Sequence, residues 1–514
     1  MKKKAKQLMV AAFFGVILLT STLALSLNSL KPPPTNEEPD TPEVSLTGTP
    51  ADNYPVKDRV TFCGTNSTKS NRYITEFKLP TYCAQPLAIT TDSTGIVWFT
   101  QYNTGNIATF DSSSKIFTEY QNDRWPKGDQ SMMWGIASTS DGNIWYTDET
   151  HDVIWKFDRN NFTSFKYPLS QTGQTFPQKI VIDDKNILVN DFTGNKITSF
   201  DSSQSGSEIQ YSIINSPTND TFTSLSSNSD KDIWYTIWRF QSGGALARYD
   251  RLVSNGPSFT LPLGIAAPNG ISSTPDNKVW ITDAGTSFFF SFDPESEKFT
   301  KFITSEPPKA TYGNSTGLIK APISRPYWNQ VDDKGRVWFN EQTANSIAVF
   351  DPLKETLVEY LVPSKNPLWS DCSGLVDCGI AQILDFTIDG EKVWFTEWVQ
   401  NNIAVLDSSI ALPINVSTDK NSIVLNRGEN SIVLFTVTPN EQLGYPITLT
   451  FADTANLNDI MVTGNNQITV EDDPVTVPVT ISADKFALSG SYKVLLGARD
   501  QDLTVSQYVT VTIS

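Results

Sequence analysis

Along most of this chain, short apolar runs alternate with polar turns, and the runs recur in a fixed order. A near-continuous apolar stretch such as Val97-Trp98-Phe99 ends in Thr and then an acid or amide. A segment of the form Asn-x-Ile-x-x-Phe-Asp follows, and after it an alternating run such as Phe117-Thr118-Glu119-Tyr120. Seven copies of the first run read GIVWFTQ (95–101), GNIWYTD (142–148), KNILVND (185–191), KDIWYTI (231–237), NKVWITD (277–283), GRVWFNE (335–341) and EKVWFTE (391–397). A continuous apolar run fits a strand packed on both faces, whereas the alternating run fits a half-exposed outer strand. Turn residues such as Asp141-Gly142 supply the positive-φ positions of tight hairpins. Trp98, Trp145, Leu188, Trp234, Trp280, Trp338 and Trp394 mark a period in the forties and fifties. Several short strands within such a period define propeller blades.

The seventh copy lacks its outer strand: after residues 403–407 the chain runs directly into Ala411-Leu412-Pro413. The missing alternation stands before the first copy, in residues 73–80 (YITEFKLP). The expectation is an all-β, seven-bladed propeller closed by that N-terminal strand, which also covers an otherwise exposed sheet edge. Beyond residue 412 tryptophan disappears and alternating strands such as SIVLFTVTP (431–439) and VTVPVTISA (475–483) take over. They predict an immunoglobulin-like β-sandwich over 412–514, without a Cys…Trp…Cys core. The propeller itself is expected over 56–411.

Lys2, Lys3, Lys4 and Lys6 precede an uncharged run from Leu8 to Leu30, so residues 1–30 read as a signal peptide or a signal anchor helix. The run is long enough to span a bilayer and no Ala-x-Ala site follows, which favours the anchor and an extracytoplasmic working part. Residues 31–55, Pro/Glu/Thr-rich at the start, read as a semi-rigid linker. Net charge −17 and a pI near 4.6 exclude nucleic acid as main partner and leave membrane contact to the N-terminal segment alone. Four cysteines fit an oxidising compartment. Of the three possible pairings, sequence proximity favours Cys63–Cys83 and Cys372–Cys378. Asn66, Asn161, Asn219, Asn314 and Asn415 head Asn-x-Ser/Thr triplets, compatible with a glycoprotein.

The repeat Gly-x-[IV]-Trp-[FY]-[TN]-[EDQ], followed by Asn-x-Ile-x-x-[FL]-Asp, resembles the streptogramin lyase (virginiamycin B lyase-like) family over roughly residues 73–407. The resemblance implies a seven-bladed propeller in which a divalent metal and histidine at the central face open a cyclic peptide by elimination. A base removes a proton next to a carbonyl and the metal stabilises the resulting charge. This chain holds a single histidine, His151, outside the family's inner-strand positions, which here carry Leu87, Trp134, Thr223, Asn269 and Tyr327. No catalytic residue is assigned.

Two other sets are candidates. The residues closing each Trp-containing run are expected to share one end of the ring, and Asp148, Asp283, Glu341 and Glu397 among them form an oxygen-rich set suited to Mg²⁺ or Ca²⁺. The alternative is that each acid caps a turn in its own blade. Trp134, Trp238, Asn269, Tyr327, Trp328, Gln330 and Trp398 form an aromatic-and-amide platform for an extracellular glycan, peptide or protein ligand, or else plug the channel. Insertions at 305–321 and 363–379 enlarge one rim. The expected function is ligand binding at the central face of a membrane-anchored propeller. The alternative is a divalent-metal-dependent lyase or hydrolase with carboxylates in place of histidine.

Overall fold

The computed structural model describes residues 50–514 except 66, 127–128, 170–172, 174, 205–207, 216–220, 228–231, 240–242, 252–255, 315–321 and 456–457. The segment 1–30, most of the linker, and the triplets at Asn66 and Asn219 lie outside the described residues. Among the described residues no helix is long and apolar enough to cross a membrane.

Seven antiparallel four-strand units follow one another around a ring. Blade 1 shows the common order, from the axis outward: Pro86–Thr91, Val97–Gln101, Ile107–Asp111 and Ile116–Tyr120. In blade 7 the outer strand is Ile74–Lys78, which pairs with Asn402–Asp407 so that Ile74 faces Leu406 and Lys78 faces Asn402. The expected closure by the N-terminal strand is therefore present.

The motif residues explain how the blades join. Five of the six motif tryptophans pack against the phenylalanine of the Phe-Asp pair in the next blade: Trp98 on Phe157, Trp145 on Phe200, Trp234 on Phe292, Trp280 on Phe350, and Trp394 on Phe110 across the closure. The Thr or Asn two residues after the tryptophan has a second task. Thr396 Oγ1 accepts from Asp385 N at 3.3 Å and donates to Leu87 O of blade 1 at 2.9 Å. Thr100, Thr147 and Thr282 reach Met133 O, Gln178 O and Tyr327 O in the same way, and the Asn340 amide reaches Ile383 O. The accepted N–H groups belong to innermost strands. In the blades of Thr100, Thr282, Asn340 and Thr396 these strands carry a register shift, where a bulge leaves backbone groups without ladder partners. A residue with both donor and acceptor capacity repairs the bulge and staples the next blade.

The C-terminal region folds as two packed sheets. One orders Ile414–Thr418, Asn430–Pro439, Val475–Ala483 and Ile460–Thr463. The other is not free-standing. Its strand Leu503–Ile513 pairs with the outer strand of blade 6, Thr356–Leu361, making one nine-stranded sheet. Tyr508 from that strand enters the core between blades 5 and 6 against Phe302 and Phe350, and donates to Ile303 O at 2.6 Å.

Two expectations change. Residues 50–55 do not continue a stalk: Pro50–Asn53 forms a 3₁₀ turn and Ala51 and Tyr54 are buried against the ring. The aromatic ring of Tyr54, late in an otherwise polar linker, supplies the apolar area that ends the spacer. The two insertions, in turn, hold each other, with Asn314 N donating to Asp371 O and Gly379 N to Ala310 O. The disulfides are Cys63–Cys83 and Cys372–Cys378.

Candidate functional site

The residues that close the Trp-containing strands, Gln101, Asp148, Asp191, Ile237, Asp283, Glu341 and Glu397, are none more than 1 % exposed. They do not line the axis. Asp148 accepts from Ser131 Oγ, His151 N and Trp155 Nε1. Asp283 accepts from the backbone of Ala266, Ala267 and Gly285 and from Thr286 Oγ1. Glu341 accepts from Ser346 Oγ, and Glu397 from Asn402 Nδ2. The four acids expected to share a cation thus turn into four separate blades, and no group of three or more His, Cys, Asp or Glu among the described residues is placed to hold a metal ion. Bonds made near each acid override convergence on the axis, from backbone N–H groups for Asp148 and Asp283 and from side chains for Glu341 and Glu397.

Blades 6 and 7 instead carry buried carboxyl pairs. Glu341 lies with Glu359 of its own outer strand, and Glu397 with Glu76 of the closing strand. Burial foremost, then the neighbouring Glu359, pushes Glu341 up to about 8. Burial and Glu76 push Glu397 well above the carboxylate range. Blade 1 has Gln101 at the equivalent position, its amide donating to Glu119 at 2.7 Å. A proton retained on one glutamate of a pair would play the part of that amide hydrogen.

The residue after each closing position points the other way, as strand alternation requires, and meets neighbouring blades at the mouth. Tyr102 of blade 1 packs edge-on against Trp398 of blade 7, 5.8 Å between centroids. Trp238 Nε1 donates to Ala266 O of blade 5 at 2.7 Å. Half-buried Glu149 accepts from Trp134 Nε1 of its own blade at 3.0 Å. Burial raises its pKa well above the usual range, with Asp148 adding repulsion.

Of the expected platform, Trp134, Asn269, Tyr327, Trp328 and Trp398 are buried, while Trp238 and Gln330 are half-buried. Gln330 is taken up by Phe386 O of blade 7. Trp328 lies under Lys179 Nζ, 4.8 Å from its ring, and Lys179 of blade 3 pairs across the axis with Asp385 of blade 7. These residues fill the bore as much as they line it. At the mouth, both amide atoms of Gln342 and of Gln382, together with the indole N–H of Trp398, are buried without a hydrogen-bond partner.

Residues 50–65 cover the blade 7 to blade 1 side of this mouth. Tyr54 stacks on Phe62 at 4.8 Å, Phe62 meets Trp369, and Trp369 meets Trp398 edge-on at 5.6 Å. Tyr54 OH donates to Gln85 Oε1 at 2.6 Å, and Gln85 Nε2 donates to Phe62 O at 2.8 Å. His151 lies outside the mouth, its ring nitrogens 2.8 Å from Asp148 Oδ2 and 3.2 Å from Asp129 Oδ2.

Gln85, Tyr102, Glu149, Lys179 and Gln342 escaped the sequence reading, whereas Gln382 stands among the amides it places beside the aromatic residues. The signal that finds the mouth residues is the alternation one step past each closing position.

Blades of this build, a central mouth and a closing N-terminal strand define a seven-bladed β-propeller. Residues 64–288 match the model of the Virginiamycin B lyase family, and the chain resembles that family. No curated protein matches the chain. Among solved structures, virginiamycin B lyase from Staphylococcus aureus superposes with a TM-score of 0.51 at 19% identity, covering 65% of this chain and 98% of that one. A catalytically inactive variant of the same enzyme with quinupristin gives the same values. A streptogramin B lyase structure gives 0.50 at 20% identity, covering 65% and 97%. At these identities the likeness establishes the fold.

Proposed function

We propose that this chain binds a ligand at the mouth of the ring and does not perform histidine-dependent elimination. The observation that carries the reading is the set of buried, unpartnered polar groups there, Gln342, Gln382 and Trp398. A buried amide without partners costs about 1–3 kcal/mol, and a ligand with donors and acceptors recovers that cost. Aromatic faces beside them, Tyr102, Trp369 and Trp398, suit a glycan or a peptide segment. Elimination needs a free base, and His151 is held between two carboxylates as a cation. The acids of the ring cap turns or pair with each other, so the described residues do not form the divalent-metal centre that the resemblance implies. Two disulfides and exposed Asn161, Asn314 and Asn415 support display in an oxidising, extracytoplasmic setting.

The test is calorimetric titration of the full chain with panels of glycans, linear peptides and cyclic depsipeptides such as quinupristin, followed by the same titration with Gln342→Ala and Trp238→Ala. Saturable binding weakened at least ~10-fold by the substitutions, with the ligand recovered intact, supports the reading. Ring-opened depsipeptide formed in proportion to added Mg²⁺ would favour the lyase alternative, and absence of any saturable binding overturns both.

A further inference from the structure

Residues 50–65 form no ladder with any blade. They rest on the mouth through side-chain and main-chain groups of the kind that a separate peptide would offer. Asn103 Nδ2 donates to Pro50 O, and Asn53 Nδ2 donates to Asn103 Oδ1. Asn366 Nδ2 donates to Val60 O and Thr61 O, and Trp369 Nε1 to Thr61 O at 2.6 Å. The Tyr54 hydroxyl and the Phe62 carbonyl satisfy the two ends of the Gln85 amide. Ring-side donors thus read peptide carbonyls, and an aromatic pair fills the apolar floor formed by Leu87, Trp398 and Ile380.

Two features separate this arrangement from a permanent plug. Gln382 opens the innermost strand of blade 7 as Gln85 opens that of blade 1, with the same left-handed φ, 56° against 58°. Yet the Gln382 amide has no partner, so the segment occupies only part of what the mouth offers. The tether is also short: Cys63–Cys83 closes a 20-residue separation that contains the closing strand Ile74–Lys78. Such a tether turns a weak contact into an occupied one through effective concentration.

We propose that the blade 7 to blade 1 side of the mouth is a binding site for a peptide segment carrying aromatic side chains, and that residues 50–65 occupy it in cis. This rests on the reading of the mouth as a binding site, and it names both the ligand class and what holds the site closed.

The probe is a fluorescein-labelled peptide of residues 50–65 carrying Cys63→Ser, followed by anisotropy against the full chain and its Cys63→Ser/Cys83→Ser variant. Binding at least ~10-fold tighter to the variant without the disulfide, in which only the backbone joins the segment to Ile74–Lys78, is expected, with competition by unlabelled peptide and loss on adding Gln85→Ala. Hydrogen exchange across 50–65 should then rise ~10-fold or more while the blade strands keep their protection. Equal binding to both proteins, binding to neither, or release of the segment only with global unfolding overturns the proposal. Should the double variant fail to fold, Tyr54→Phe keeps the disulfide and must still raise exchange in 50–65 several-fold. Peptide binding without any binding of external compounds would sink the external-ligand reading alone. External binding undiminished by excess peptide sinks the cis-occupancy proposal alone.

Discussion

His151 Nδ1 lies 2.8 Å from Asp148 Oδ2, a carboxylate with no exposed side-chain surface. Hydrogen bonding to Asp148 is the main reason the imidazole is pushed from 6.5 up to about 9, with Asp129 adding to it on the far side. The ring is therefore a cation at neutral pH and serves as a tie between a turn and the loop before blade 2.

A pKa raised on folding stabilises the folded state fully below the unfolded value of 6.5, and that contribution is lost as pH rises through about 9. His151→Gln should lower Tm at pH 6, and the gap from the parent protein should close by pH 10. Because this histidine is the only one, its imidazole proton resonances report the titration directly. A midpoint near 6.5 would contradict the geometry.

The carboxyl pair of Glu341 and Glu359 carries the opposite lesson for acids. A raised carboxyl pKa gives stability that is complete below the ordinary value of 4.5 and declines as pH rises toward about 8. Glu341→Gln converts blade 6 to the chemistry of Gln101 and Glu119 in blade 1. The variant should melt with the parent at pH 5 and about 2–4 °C or more above it at pH 9. Equal melting at both pH values would refute the retained proton.

Thr396→Val keeps the shape but removes both the acceptor for Asp385 N and the donor to Leu87 O. The expected loss is about 1–3 kcal/mol, measured by chemical denaturation, with Thr396→Ser retaining most of the stability. A neutral Thr396→Val would mean that the staple between blades 7 and 1 contributes nothing.

Tyr508→Ala removes a fully buried ring from the core of blades 5 and 6. The expected cost is roughly 3–5 kcal/mol, felt by propeller and sandwich together. Calorimetry should show one transition in both proteins, shifted downward in the variant. Two separate transitions in the parent protein would show that the shared sheet does not couple them.

Much of the fold is legible in the residues. The Trp-x-[TN] spacing marks the second strands, and the Thr-Glu-Phe of residues 75–77 echoes the Thr-Glu-Tyr of 118–120, which points to the closure. The mouth is less legible. Asp148 and Glu341 are placed on the same end of the ring by their spacing, but their hydrogen-bond partners decide which way they face: His151 N and the more distant Ser131 hydroxyl for Asp148, the Ser346 hydroxyl for Glu341. Tyr54 reads as part of a polar spacer because its stacking partner, Phe62, and its acceptor, Gln85, become neighbours only after the ring closes. The sandwich strands are visible from alternation. Their continuation into blade 6 is not, since any outer strand with free edge groups is an equally good partner.

The pairing of Lys179 with Asp385 spans the axis from blade 3 to blade 7. A strut across the bore ties opposite sectors of the hoop to each other and takes up part of the opening between them. What docks there then meets opposite blades whose spacing is held by an ion pair and not by loops alone.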